Sequence, residues 1–242
     1  MLFKIYGERN SGTNFLCQLI DKNFGNVYGN VEACKLVESN KFYFWKHDIP
    51  QKDIDSSSNN TIKIFIFRKL EPWLVSMFYN PYQIRFDERN FNVFLKSKMK
   101  IPYDNVYIYY NNKQINLEDE EKTIFEIRYF KYQKIKEFCK NHNNIILVSL
   151  EYLQNKDNCI HFLKEINTKF NLQKTNFYTI DKYTKNNIML EKKDNKINVI
   201  TLDETEKNKK YTIKYQDYQE EIDKNKMIEI ENEINNLTYL FI

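Results

Sequence analysis

The chain has 242 residues, of which 42% are hydrophobic, 29% charged and 16% aromatic, with a formal net charge of +4. This length holds one α/β domain with a real core or at most two small ones. The mild positive charge fits ordinary solubility or a pocket for an anion, and no Lys/Arg block is dense enough to read as a nucleic-acid arm. No run approaches the ~18 continuous apolar residues of a membrane span. The start, Met1 to Gly7, is not patterned as a signal peptide, so a cytosolic protein is the expectation.

In chain order, short apolar runs at Leu2 to Tyr6, Phe42 to Trp45, Ile62 to Phe67 and Ile145 to Leu150 read as buried strands. Helical patterns cover Asn14 to Lys22, Pro72 to Tyr79 with Pro at the first helical position, Asn90 to Lys98, Glu120 to Asn141, Asp157 to Phe170 and Tyr218 to Leu237. Two hairpins are expected, one turning at Asn111-Asn112 and one at Asp194-Asn195. Strands alternating with helices predict a single three-layer α/β domain over 1–242, its mostly parallel sheet flanked by helices, with ligands at the carboxyl ends of the strands.

The sequence becomes unusual at three of those ends. All four glycines lie in the first 29 residues, and two of them, Gly7 and Gly12, bracket Glu8-Arg9-Asn10-Ser11. Such a strand–loop–helix turns backbone N–H groups and a helix dipole toward an anion, and Ser11, Thr13 and Asn14 add polar donors. A Ser/Gly turn that merely caps a helix uses the same residue types. The Walker pattern is absent, because Thr13 follows Gly12 directly with no Lys between. At the next end, Arg68 closes an apolar strand, and Ser76 follows eight residues on, in the Pro72 helix. A guanidinium fork plus a hydroxyl suits a terminal phosphate, and a strand-end Arg with a surface Ser is the plainer reading.

Together these segments resemble the sulfotransferase family. Asn10-Ser11-Gly12-Thr13-Asn14-Phe15 is similar to its 5′-phosphosulfate loop, commonly Lys-Ser-Gly-Thr-Thr-Trp, with Asn10 where the family has Lys and Arg9 beside it. Arg68 with Ser76 resembles its 3′-phosphate motif. The stretch Ile145 to Asn171, containing Leu150-Glu151-Tyr152-Leu153, and the ending with Tyr239 resemble later family segments. The resemblance implies a P-loop-like phosphate loop that binds 3′-phosphoadenosine 5′-phosphosulfate (PAPS), with no metal required, and transfer of the sulfuryl group to a hydroxyl or amine of a small molecule or carbohydrate. It implies that Arg9, Asn10, Ser11, Gly12, Thr13 and Asn14 hold the 5′-phosphosulfate, and that Arg68 and Ser76 hold the 3′-phosphate. Phe15 either stacks on adenine or packs in the core. Lys185, in Tyr183-Thr184-Lys185, falls where the family gathers late nucleotide contacts.

The remaining strand end is Trp45-Lys46-His47-Asp48-Ile49-Pro50. The family often has Lys-Thr-His-Leu-Pro there, with His as catalytic base, which casts His47 as the base and Lys46 as an electrostatic helper. A structural His in a strand-end turn is the alternative. His142, His161, Arg128 and Lys131 read as surface residues, and Glu151 as a residue that orients a loop. The four cysteines, Cys17, Cys34, Cys139 and Cys159, lack metal or disulfide spacing and read as buried reduced thiols. Two rivals remain: a P-loop kinase for a nucleotide or small molecule, and a non-catalytic nucleotide-binding relative.

Overall fold

Leu2–Gly7 forms strand β1, Val27–Tyr28 β2 and Thr61–Phe67 β3. These belong to a computed structural model that describes residues 2–25, 27–28, 61–79, 90–97, 99–100, 108–110, 113–115, 121–180, 188–193, 196–201 and 224–242. The expected strand Phe42 to Trp45 lies outside the described residues. β3 is buried along its whole length. Its β-branched and aromatic side chains suit a strand covered on both faces. β1 pairs parallel with β3 from Leu2↔Thr61 to Gly7↔Ile66, and β3 pairs parallel with β8 (Ile145–Ser149). β11 (Tyr239–Phe241) adds an antiparallel edge, giving a five-stranded order β11-β8-β3-β1-β2.

Helix α1 (Thr13–Phe24) joins β1 to β2 on one side of β1, whereas β3 lies on the other side. The chain order therefore reverses between β1 and β3. In an open α/β sheet that reversal opens a crevice outside the carboxyl ends of the two strands.

The contacts divide the chain into two compact units, the first comprising Met1–Leu70, Lys134–Thr184 and Glu231–Ile242. This unit holds the whole sheet. On one sheet face, Phe3, Ile5, Ile62, Ile64, Ile66 and Val148 pack with Leu16, Leu19 and Ile20 of α1 and with Phe162, Leu163 and Ile166 of α6 (Lys156–Phe170). Each of these large apolar side chains contributes roughly 1.5–3 kcal/mol on burial. Strand alternation sends Tyr6 and Phe65 to the other face, where their rings stack at 4.8 Å and Phe138 meets Phe65 edge-on at 5.9 Å. Lys63 shares that face, only 4% exposed, with its ammonium 6.0 Å from the Phe138 ring. Phe138 belongs to α4 (Ile124–Asn141).

The Asn155 carboxamide caps α6 by accepting from Asp157 N–H and Asn158 N–H. The helix ends at Asn171 in the left-handed region, where Asn is tolerated. The chain then continues without regular structure to Ile180, with Leu172, Phe177 and Ile180 packed against the core cluster. Asn23, buried on α1, grips this segment: its carboxamide donates to Tyr178 O at 2.9 Å and accepts from Tyr178 N–H at 2.8 Å. Lys22 donates to Thr179 O, and Phe177 packs edge-on against Phe24. Replacing Asn23 with alanine is expected to destabilise the protein by about 1–3 kcal/mol, because two backbone groups lose their partner. Denaturant unfolding measures the loss, and faster exchange of the Tyr178 amide localises it.

The second unit comprises Glu71–Gln133 and Lys185–Ile230. Helix α2 (Leu70–Tyr79) begins two residues before Pro72, so the proline is not at the first helical position as expected. A first-turn residue needs no intrahelical acceptor, so Pro is tolerated there. Phe78 of α2 packs with Phe91 and Phe94 of α3 (Phe91–Lys96), which Asn90 caps by accepting from Asn92 N–H. The first hairpin forms between β5 (Ile108–Tyr110) and β6 (Lys113–Ile115), the second between β9 (Ile188–Lys193) and β10 (Lys196–Thr201). The expected turn residues, Asn111-Asn112 and Asp194-Asn195, lie outside the described residues. α4 starts four residues later than expected. Glu121–Lys122 forms β7, paired with β4 (Met99–Lys100), and a capping box sets the helix start. Thr123 N–H donates to Glu126, and Glu126 N–H donates to the Thr123 hydroxyl. The last helix, α7, spans Lys224–Asn236.

Arg128 corrects the expectation of a surface charge. It is 1% exposed, and its guanidinium lies 4.6 Å from the Trp73 ring centre. The flat, weakly hydrated guanidinium tolerates burial when it stacks on an indole face.

Candidate functional site

The chain leaves β1 at Gly7 with no room to spare. A Cβ there would lie 2.6 Å from the Ser11 hydroxyl and 2.7 Å from the Ile66 carbonyl oxygen. The loop turns back on itself through the Glu8 carbonyl, which accepts from Ser11 N–H at 3.1 Å and from the Ser11 hydroxyl at 2.7 Å. Asn10 and Gly12 take positive φ, +62° and +97°. Asn and Gly are the residues that enter this region most readily. Gly12 also lies against Leu150, whose Cδ1 would be 2.7 Å from an added Cβ. Its carbonyl accepts from Leu16 N–H, which starts α1, and no side chain caps the helix. Helix geometry points the first-turn N–H groups back along the axis toward the loop, where the dipole favours negative charge.

Within this loop Ser11 and Thr13 are buried, Arg9 and Asn10 are half-buried, and Asn14 is exposed. Phe15 is half-buried against the core cluster. The Ser11 hydroxyl proton is engaged within the turn, so an anionic ligand oxygen, itself an acceptor, binds it only by displacing that bond.

Arg68 follows the last residue of β3. Its Nη1 donates to the Asn10 carbonyl at 3.2 Å, tying the end of β3 to the loop after β1. Its Nε lies 3.9 Å from Glu151 Oε1, with both side chains 23% exposed. Burial lowers the Arg68 pKa from its ordinary value, and the Glu151 charge opposes that shift. An arginine with this offset stays charged at neutral pH. Glu151, on α5 (Leu150–Leu153), also accepts from Lys69 N–H at 3.2 Å and from the Ser149 hydroxyl at 3.1 Å. The sequence reading of Glu151 as a loop-orienting residue matches this geometry. Its link to Arg68 had no local signal, because 83 residues separate them and only the register Phe67↔Ser149 brings them together.

Ser76 is half-buried on α2, in the second unit. Lys46, His47 and Lys185 lie outside the described residues. His161 is exposed, as expected, with Nε2 2.9 Å from the Tyr239 hydroxyl. His142 is half-buried, its ring stacked on Phe138 at 3.8 Å. Cys17, Cys139 and Cys159 are buried and form no disulfide, and burial pushes the Cys139 and Cys159 thiols up to about 11. Among the described residues no group of three or more His, Cys, Asp or Glu side chains is placed to hold a metal ion, and no helix is long and apolar enough to cross a membrane.

The described fold is mixed α/β, with an open, mostly parallel sheet and flanking helices. No family model matches the chain, and neither curated proteins nor solved structures give a significant match.

Proposed function

We propose that this protein is a PAPS-dependent sulfotransferase built on a three-layer α/β fold with a P-loop-like phosphate loop. One observation carries the reading: the two sequence segments that resemble the family meet, with Arg68 Nη1 3.2 Å from the Asn10 carbonyl at the crevice between β1 and β3. A loop with two left-handed residues, a helix N-terminus and a guanidinium at one strand end is a chemistry suited to an anionic phosphosulfate.

PAPS supplies an activated sulfuryl group and a stable leaving phosphate. Arg9 to Asn14 hold its 5′-phosphosulfate, and Arg68 holds the 3′-phosphate. His47 removes the proton from the acceptor hydroxyl or amine as the nucleophile attacks sulfur in line. Lys46 and Arg9 stabilise the charge that develops on the leaving oxygen. The acceptor is a small molecule or carbohydrate, and the setting is cytoplasmic.

Calorimetric titration with 3′-phosphoadenosine 5′-phosphate in EDTA tests the reading. Saturable binding by the wild type is expected, with ATP and magnesium binding more weakly. A screen of carbohydrate, phenol and amine acceptors then follows, in which His47→Ala is expected to lose about 10²–10⁴-fold in turnover while keeping nucleotide affinity. Tight magnesium-ATP binding with none of the bisphosphate would replace this reading with a kinase. Nucleotide binding without transfer to any acceptor would leave a non-catalytic relative.

A further inference from the structure

A carboxylate beside an anion site is electrostatically unfavourable, since it repels the ligand the site is built for. Glu151 nevertheless stands at the end of β8, next to the guanidinium that faces the loop. Its surroundings show what the charge is used for. Two donors from two chain segments converge on its two oxygens, Lys69 N–H and the Ser149 hydroxyl, and the Arg68 guanidinium lies beside them as an ion pair, Nε 3.9 Å from Oε1. The opposite edge of that guanidinium then reaches the Asn10 carbonyl. The ends of β8, β3 and β1 are thereby joined in one chain of contacts, Ser149–Glu151–Arg68–Asn10.

We propose that Glu151 is the positioning residue of this site: it fixes the Arg68–Lys69 turn and aims the Arg68 guanidinium at the loop after β1. This rests on the proposed reading of the site as the place where the bisphosphate nucleotide binds. Glu151 does not touch the ligand, so its effect passes through Arg68. The geometry costs some coulombic attraction and gains orientation, because a long, rotamer-rich arginine that is already held loses less entropy when an anion binds. Positioning and simple counter-charge therefore predict opposite signs. If Glu151 acted only as a competing charge, removing it would tighten anion binding. If it positions Arg68, truncation weakens binding, and glutamine, which still accepts from Lys69 N–H, largely restores it.

The test compares wild type, Glu151→Ala and Glu151→Gln by calorimetry with 3′-phosphoadenosine 5′-phosphate, and by exchange of the Lys69 amide followed by NMR. The expected result is a Kd about tenfold higher for Glu151→Ala, a Kd within about threefold of wild type for Glu151→Gln, and exchange at the Lys69 amide at least about tenfold faster in the alanine variant. A Kd unchanged or lower in Glu151→Ala overturns the proposal, as does unchanged exchange. Should the alanine variant fail to fold, Glu151→Gln decides: a Kd that falls more than about threefold identifies a mere counter-charge, and near-wild-type affinity with retained Lys69 protection supports positioning. Should the wild type not bind the nucleotide, the functional reading fails by itself, and the exchange measurement still decides whether Glu151 fixes the Arg68–Lys69 turn.

Discussion

Replacing Arg68 with alanine is expected to weaken binding of 3′-phosphoadenosine 5′-phosphate by at least ~30-fold, because truncating one partner of a hydrogen-bonded charge pair costs about 2–5 kcal/mol. Two effects add. The ligand loses a guanidinium donor and its charge. The loop also loses its tie to β3, since the Asn10 carbonyl no longer receives Nη1. Arg68→Lys separates the two. It keeps the charge and loses the fork, so it should fall between wild type and alanine. Titration without magnesium measures the affinities, and thermal unfolding checks that each variant is folded. An alanine variant that binds as tightly as wild type would remove Arg68 from the site and with it the main support for the proposed function.

Gly7→Ala is expected to produce the largest loss of stability among substitutions of similar size, about 3 kcal/mol, or a Tm lowered by roughly 6–12 °C. The added methyl would meet the Ile66 carbonyl oxygen at 2.7 Å and Ile66 Cγ2 at 2.8 Å. The carbonyl belongs to β3 in the centre of the sheet and cannot swing away. The Ser11 hydroxyl, at 2.6 Å, is held by the Glu8 carbonyl. Relief must come from parting β1 and β3 or from opening the loop, and the loop is where the proposed anion binds. Gly25→Ala is the control: nothing lies within 4 Å of an added Cβ, and only its φ of +67° opposes the change. With ψ near −170° this is a conformation used almost only by glycine, so its cost should be about 1–3 kcal/mol, from backbone strain alone. A loss below about 1 kcal/mol at Gly7 would show that β1 and the loop shift to admit the methyl without strain.

Much of the fold was legible because it is written in local patterns. The mostly apolar run of β3 reads as a covered strand, and the segments flanking Asn111-Asn112 and Asp194-Asn195 pair antiparallel as the turn residues between them led one to expect. Of the candidate site, the loop from Gly7 to Asn14 and the strand-end Arg68 were visible for the same reason: glycine, small polar residues and an abrupt charge after an apolar run each force a local geometry. The start of α4 was also written locally, in the Thr123 and Glu126 capping box that the sequence reading passed over.

What the sequence by itself determined about this protein is the identity of its parts: strands with apolar faces, a glycine-bracketed loop leading into α1, and an arginine closing β3. Only the tertiary structure decided which parts meet. The strand order β8-β3-β1 placed Glu151 beside Arg68 and Arg68 beside Asn10, the Asn23 carboxamide found the backbone of Tyr178, and Arg128 was buried over Trp73 instead of lying in water. The reason is physical. Turn and strand preferences act between neighbours in sequence, whereas a buried carboxamide, ion pair or stacked guanidinium is set by partners that strand pairing and packing bring from far along the chain.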